Sequence, residues 1–185
     1  MLTENDYQVA AETLGVEVAC IKAVTKVESR GSGFLSTGAP VILFERHWMY
    51  KLLKVKFGKE PTLSDVVDPK AGGYKGGGAE HTRLEHAVAI DRECALQSCS
   101  WGLFQIMGFH WKALGYASVQ AFVNAQYKSE GAQLDTFVRF IQINPGMKAA
   151  LKAKDWAKFA KLYNGPAYAK NNYDTKLAES YASFK

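Results

Sequence analysis

Apolar side chains recur every three to four residues through most of this chain, which is the spacing of α-helices that bury one face. The segments with this pattern are residues 4–14, 16–30, 47–57, 79–97, 131–143 and 156–164, and a closing segment around Leu177 and Tyr181. Thr3, with Asp6 three positions later, is typical of a helix start, and Gly15 of a helix end. The chain is therefore predicted to be mainly α-helical.

Two segments depart from the helical spacing. Residues 41–44 form an apolar run after Pro40, which predicts a short β or extended segment near residues 41–45. Residues 68–78 are rich in glycine and are predicted to form a mobile loop rather than a linker between domains.

Length and composition favour one globular domain over residues 1–185. The chain has 185 residues, a net charge of +5, 48% hydrophobic and 22% charged residues, and these values exclude a disordered protein. No apolar run approaches the roughly 20 residues that span a bilayer. Residues 1–6 lack the basic and apolar regions of a secretory signal, so synthesis in the cytoplasm is expected without a signal peptide.

Cysteine and histidine spacing favours neither a disulfide framework nor a metal site. The chain has an odd number of cysteines, namely Cys20, Cys94 and Cys99. They are predicted to be reduced and buried, with a Cys94–Cys99 bridge as the alternative. His81 and His86 are five residues apart, which is not the spacing of a zinc helix. No metal and no cofactor are expected.

Glu28 is the strongest candidate for chemistry. It lies seven residues after Ile21 and four after Val24, so a helix places its carboxyl group on the apolar face. Burial and the negative end of the helix dipole both stabilise the protonated form and raise its pKa. These properties suit a general acid, although a structural glutamate neutralised by Arg30 or another cation is the alternative.

Four segments together resemble a known family. They are residues 27–34, 40–47, 100–107 and 162–170. In this order they are similar to the N-acetylmuramidase domain of phage endolysins, a member of the lysozyme-like superfamily with goose-type lysozymes and lytic transglycosylases. The resemblance covers essentially the whole chain and implies a lysozyme-like fold, with Glu28 as the acid that protonates the glycosidic oxygen.

The resemblance also implies the residues that hold the sugar. Gln105 would line the cleft beside Ser100 and Trp101, and Tyr163 and Asn164 would lie opposite Glu28. For Tyr163, packing against Phe159 on the same helix face is the alternative. Tyr168, which follows a glycine and proline turn, is a further candidate because aromatic rings stack on sugars.

Glu45 is the candidate second carboxylate. Alternation along an extended segment places it on the face of Val41 and Leu43, where it could act as a base or stabilise charge. Equally, it could fix the wall of the cleft by binding Arg46, His47 or the backbone. Asp91 is a weaker rival for the same role.

These observations predict a peptidoglycan hydrolase, an endolysin that cuts the β-1,4 bond between N-acetylmuramic acid and N-acetylglucosamine and so lyses the host cell. The expected partners are glycan strands and a holin that opens the inner membrane, with no nucleic acid. The chain is expected to be a monomer without a separate peptidoglycan-binding module, in the host cytoplasm before lysis and at the peptidoglycan afterwards. The alternatives are a lytic transglycosylase with 1,6-anhydro products and a non-catalytic wall-binding module.

Overall fold

The structure is a computed structural model that describes residues 1–29 and 31–185. These residues fold mainly into α-helices, as the apolar spacing predicts. The helices are α1 (Glu4–Leu14), α2 (Val18–Glu28), α3 (Arg46–Phe57), α4 (Ala79–Ile90), α5 (Arg92–Gln97), α6 (Val119–Lys128), α7 (Glu130–Gln142), α8 (Pro145–Ala153), α9 (Trp156–Asn164) and α10 (Tyr173–Phe184). Short 3₁₀ helices cover Gly108–His110 and Pro166–Asn171. Among the described residues, no helix is long and apolar enough to cross a membrane.

A small antiparallel sheet contains the predicted extended segment. Its strands are β1 (Ile42–Phe44), β2 (Cys99–Trp101) and β3 (Ile106–Met107), with β2 in the middle. Ser100 pairs with Leu43 on one side and with Met107 on the other. Burial alternates along β1, because Ile42 and Phe44 are buried whereas Leu43 is half-buried. This alternation confirms the predicted β segment.

Contacts divide the chain into two compact units. The first unit comprises Met1–Gly31 and Glu130–Lys185, and in it α2 packs against α1 and α10. Its fully buried side chains include those of Leu14, Ile21, Phe137, Phe159 and Leu177. Apolar burial of this kind is the main force that holds helices together.

The second unit comprises Ser32–Ser129 and contains the sheet with α3 to α6. In it, α4 packs on β1, and α5 contacts α3, α4 and α6. Its core includes the buried side chains of Phe44, Met49, Trp101 and Phe122. That residues 1–185 form one catalytic domain stays a prediction.

The helix that carries Glu28 is shorter than predicted. It begins at Val18 instead of residue 16, because the backbone N–H of Val16 still donates to Ala11 at the end of α1. It ends at Glu28, because Ser29 has extended backbone angles (φ −85°, ψ 138°). The predicted end at Arg30 lies outside the described residues. Glu28 is thus the last residue of α2.

The predicted helix over residues 79–97 is two helices. Asp91 ends α4 and caps α5, since its side chain accepts a hydrogen bond from the backbone N–H of Cys94 at 2.9 Å. Asp91 also accepts a hydrogen bond from Lys56 at 2.7 Å. These contacts give Asp91 a structural role. Cys20, Cys94 and Cys99 are buried and free, so the predicted reduced cysteines are confirmed and the alternative bridge is wrong.

Candidate active site

Glu28 is a half-buried carboxyl group at the C-terminal end of α2. Asn164, the last residue of α9, donates a hydrogen bond from Nδ2 to Oε1 of Glu28 at 3.0 Å. Burial raises the pKa of Glu28 to about 7, against the opposing effect of the Asn164 hydrogen bond. Glu28 therefore holds a proton in a large share of molecules at neutral pH, as a general acid requires.

Tyr163 lies beside Asn164 on α9, and its ring packs among aromatic side chains. It stacks on Phe159, with ring centroids 6.1 Å apart, and meets the ring of Phe137 edge-on at 5.4 Å. Burial, and secondarily the charge of Glu28, raise the pKa of Tyr163 well above its usual range. The ring of Tyr163 therefore packs on Phe159, as the alternative interpretation of this residue predicts. The raised pKa keeps its phenol group neutral, and the charge of Glu28 contributes to this effect.

A turn follows directly after this pair. Gly165 has φ 79° and ψ −177°, a backbone conformation that side chains with a Cβ rarely adopt. The turn leads into the 3₁₀ helix that carries Tyr168, which is half-buried. The backbone N–H of Tyr168 donates to the carbonyl of Gly165 at 3.2 Å.

Ser100 and Gln105 meet in the second unit. The hydroxyl of Ser100 donates to Oε1 of Gln105 at 2.8 Å, and Nε2 of Gln105 donates to the carbonyl of Gly102 at 2.8 Å. Gln105 has φ 50°, which is uncommon for a residue other than glycine. These hydrogen bonds hold Gln105 in a strained turn, and such strain often occurs at functional sites.

Trp101 corrects one expectation. Its side chain is 1% exposed, and its ring nitrogen Nε1 donates to the carbonyl of Leu96 at 3.1 Å. The middle strand of the sheet carries it into the core of the second unit. Because a sugar needs an accessible ring face, Trp101 is a core residue here rather than a sugar-binding one.

Glu45 lies between β1 and α3 and is 16% exposed. Its Oε2 accepts a hydrogen bond from the hydroxyl of Tyr74 at 2.7 Å and lies 3.2 Å from Nδ1 of His47. Its Oε1 accepts no hydrogen bond from any residue that the structure describes. Glu45 therefore has both a fixed oxygen and an oxygen that could bind water.

Sequence reasoning missed three residues near Glu45. Tyr74 lies in the glycine-rich segment, and Glu80 and Arg83 lie on α4 and are 0% and 5% exposed. The signal for Glu80 was available, because it precedes Leu84 by four residues and Ala87 by seven, on the apolar face of α4. Among the described residues, no cluster of His, Cys, Asp and Glu side chains could hold a metal ion.

Comparison with known proteins identifies the family of this chain. Residues 17–185 match the family model Muramidase, described as N-acetylmuramidase. The chain belongs to this family. The muramidase is thus a glycoside hydrolase of the lysozyme type that acts on peptidoglycan. No curated protein matches its sequence.

A solved structure supports the fold of the muramidase. The crystal structure of Burkholderia AP3 phage endolysin is 52% identical to it, with a TM-score of 0.94, over 99% of this chain and 70% of that chain. The predicted mainly α, lysozyme-like fold is confirmed.

Proposed function

We propose that this muramidase is a phage endolysin that hydrolyses the β-1,4 bond between N-acetylmuramic acid and N-acetylglucosamine. The observation that carries the proposal is the half-buried carboxyl group of Glu28 beside the neutral side chain of Asn164, where burial raises its pKa to about 7, a value that suits an acid near neutral pH. The family match and the similarity to a phage endolysin support the same substrate and role.

In the proposed reaction, Glu28 gives its proton to the glycosidic oxygen, which leaves as the 4-hydroxyl of N-acetylglucosamine. The bond from this oxygen to C1 of N-acetylmuramic acid breaks, and positive charge develops on the sugar ring. A water molecule then bonds to C1 and transfers a proton to Glu45. Glu45 then releases its proton to solvent and Glu28 takes one up, so the net change is addition of one water, and the product is a reducing N-acetylmuramic acid end.

Neutral polar groups would hold the sugars in this scheme. Asn164, which donates to Glu28, and Tyr163 before it on α9 would bind the sugar, and the linked pair of Ser100 and Gln105 would bind sugar hydroxyl and acetamido groups. Tyr168 would add a ring face. Neutral amide and hydroxyl groups suit this task, because they can both donate to and accept from the hydroxyl and acetamido groups of the sugar.

The proposal includes the setting of the reaction. The muramidase acts as a monomer without a cofactor, and residues 1–185 form its catalytic domain. It accumulates in the host cytoplasm and reaches the peptidoglycan once a holin has opened the inner membrane.

Digestion of purified peptidoglycan in heavy-oxygen water tests the reaction. Hydrolysis is expected to give reducing muropeptides that carry the heavy oxygen at C1, as mass spectrometry can detect. Anhydro muropeptides, lighter by one water and unlabelled, would instead identify a lytic transglycosylase. Absence of soluble products would favour a wall-binding module.

Removal of the Asn164 side chain is expected to shift the pH profile. The ratio kcat/KM should fall as pH rises through the pKa of Glu28, because only the protonated acid is active. Asn164 donates to the ionised form and lowers this pKa, so Asn164→Ala should move the alkaline limb to higher pH, by up to about 1 unit.

The readout is kcat/KM against pH for the wild type and the variant. Asn124→Ala is the matched control, because Asn124 is an exposed amide on α6 that bonds Gln120 instead of a carboxyl group. An alkaline limb that stays in place, or moves to lower pH, in Asn164→Ala would contradict the role given to Asn164.

A further inference from the structure

The glycine-rich segment over residues 68–78 is bound to a fully buried carboxylate. Glu80 is 0% exposed, and its Oε1 accepts hydrogen bonds from the backbone N–H groups of Lys75 at 2.6 Å and Gly76 at 3.0 Å. Its Oε2 accepts from the backbone N–H of Phe44 at 2.9 Å. One side chain therefore ties the segment to β1, directly before Glu45.

Arg83 completes this attachment. Its Nη1 donates to Glu80 at 2.8 Å and to the carbonyl of Phe44 at 2.9 Å, and its Nη2 donates to the carbonyl of Gly72 at 3.4 Å. The guanidinium carbon also lies 5.9 Å from the ring centroid of Tyr74, within the range of a cation–π contact. Arg83 thus binds the segment on both sides of residue 73.

The glycines allow this close approach. Gly72 and Gly73 have φ 110° and 76°. A Cβ at Gly73 would lie 3.3 Å from Nη2 of Arg83, closer than side chains normally pack, and 3.4 Å from Nη1 of Arg46. The segment therefore follows a path that larger residues would strain.

The segment places the hydroxyl group of Tyr74 within hydrogen-bonding distance of Glu45. The hydroxyl donates to Oε2 at 2.7 Å, the same oxygen that lies 3.2 Å from Nδ1 of His47. Both contacts are on one oxygen, and Oε1 is left without a hydrogen bond from the described residues. The carboxylate is thus held in one orientation with Oε1 available.

We propose that Tyr74 is the positioning residue for Glu45, and that it orients the carboxylate so that Oε1 accepts the proton of the attacking water. This inference rests on the proposed function, in which Glu45 is the base. The buried pair of Glu80 and Arg83 fixes the segment that delivers the hydroxyl. Fixing one oxygen before the reaction lowers the entropy lost on reaching the productive geometry.

The contribution of Tyr74 lies in its hydroxyl rather than its ring. The residue is 44% exposed, so the ring adds little buried area to the core. Tyr74→Phe keeps the ring and its contact with Arg83 and removes the hydroxyl, which donates to Glu45 and also interacts with the backbone of Gly72. The melting temperature of this variant is therefore expected to stay close to that of the wild type.

The test compares steady-state kinetics on soluble glycan strands. Tyr74→Phe is expected to lower kcat by a factor on the order of ten and to leave KM nearly unchanged. Tyr50→Phe is the matched control, because the Tyr50 hydroxyl also donates to a glutamate, Glu60, in the same unit. The control is expected to behave as the wild type.

A double variant shows whether Tyr74 acts through Glu45. In the Glu45→Gln background, assayed with excess enzyme over long incubations, Tyr74→Phe should cause no further loss. An unchanged kcat in Tyr74→Phe, an equal loss in Tyr50→Phe, or a full further loss in the double variant would each overturn the proposal. So would a fully active Glu45→Gln.

Failure of this inference is distinguishable from failure of the proposed function. If Glu28→Gln is inactive and Tyr74→Phe behaves as the wild type, only the positioning role is wrong. If Glu28→Gln keeps full activity, the general-acid role proposed for Glu28 is wrong, and if the wild type releases no reducing muropeptides, the proposed function is wrong, whatever Tyr74 does.

Discussion

Replacing Glu28 with glutamine is expected to reduce peptidoglycan hydrolysis by a factor on the order of 10² to 10⁴. Glutamine has nearly the same shape and can remain beside Asn164, but it has no carboxyl proton to give to the leaving oxygen. The helical content of Glu28→Gln, measured by circular dichroism, should match that of the wild type.

The same substitution is expected to stabilise the fold at neutral and alkaline pH. The pKa of Glu28 is about 7 in the folded chain and 4.5 for an ordinary glutamate, so the unfolded chain releases this proton more readily. The resulting loss of folding stability begins above the ordinary pKa and is complete above about pH 7. The difference corresponds to at most about 3 kcal/mol, which Glu28→Gln avoids.

Two measurements check this pair of expectations. Turbidity or dye-release assays on purified peptidoglycan give the activity, and urea unfolding at pH 4 and pH 8 gives the stability. The variant should be more stable than the wild type at pH 8 and similar at pH 4. Glu12→Gln, a change at an exposed glutamate on α1, is the control for both.

A correctly folded Glu28→Gln with near-normal activity would contradict the general-acid role. Equal stability changes at both pH values would contradict the raised pKa. The two results are independent, because catalysis depends on the proton and stability depends on the cost of burying the charge.

Local signals account for what could be predicted from the sequence. The predicted helix start at Thr3 is confirmed, because Thr3 and Asp6 form a capping box, and Asp155 caps α9 in the same way; both contacts join residues three positions apart. The environment of Glu28 was also predictable, since helical spacing relates it to Ile21 and Val24 on the same helix. In each case the relevant neighbours lie within one or two helical turns.

Contacts between distant residues account for what was missed. The hydrogen bond between Tyr74 and Glu45 joins residues 29 positions apart in the sequence. The hydrogen bond from the backbone N–H of Phe44 to Glu80 joins residues 36 positions apart. Helical periodicity carries no information on such pairs, so the sequence predicts a mobile loop over the glycine-rich segment without indicating the contacts of Tyr74. The resemblance over residues 100–107 predicts that Trp101 lies at the site, but it carries no information on the burial of this side chain in the middle strand of the sheet.

Removal of the buried carboxylate of Glu80 is expected to have the largest effect on stability. Glu80→Ala should lower the free energy of unfolding by about 3 to 5 kcal/mol at neutral pH, because it leaves Arg83 buried without its partner. Three backbone N–H groups also lose their acceptor, namely those of Phe44, Lys75 and Gly76. Glu85→Ala, at an exposed position on the same helix, should have little effect.

The pH dependence gives a second check on Glu80. Burial raises its pKa, but the backbone hydrogen bonds and Arg83 outweigh burial and hold the pKa below its ordinary value. The carboxylate therefore stabilises the fold above the ordinary pKa of a glutamate, and this contribution is lost as pH falls below it. Urea unfolding should show a difference between the wild type and Glu80→Ala that narrows in acid, and a constant difference would contradict the role of the ionised form.

A double variant separates the stability of the buried pair from its effect on the site. Glu80→Met with Arg83→Met removes both charges, so it should recover part of the stability that Glu80→Ala loses. Recovery should be incomplete, because the three backbone N–H groups still lack an acceptor. The kcat should nevertheless fall at least as far as in Tyr74→Phe, since the segment that carries Tyr74 loses its hydrogen bonds to Glu80 and Arg83 and keeps those of Arg46 to the carbonyls of Lys70 and Ala71. A stable double variant with the kcat of the wild type would show that the pair serves the fold alone and that Tyr74 reaches Glu45 without it.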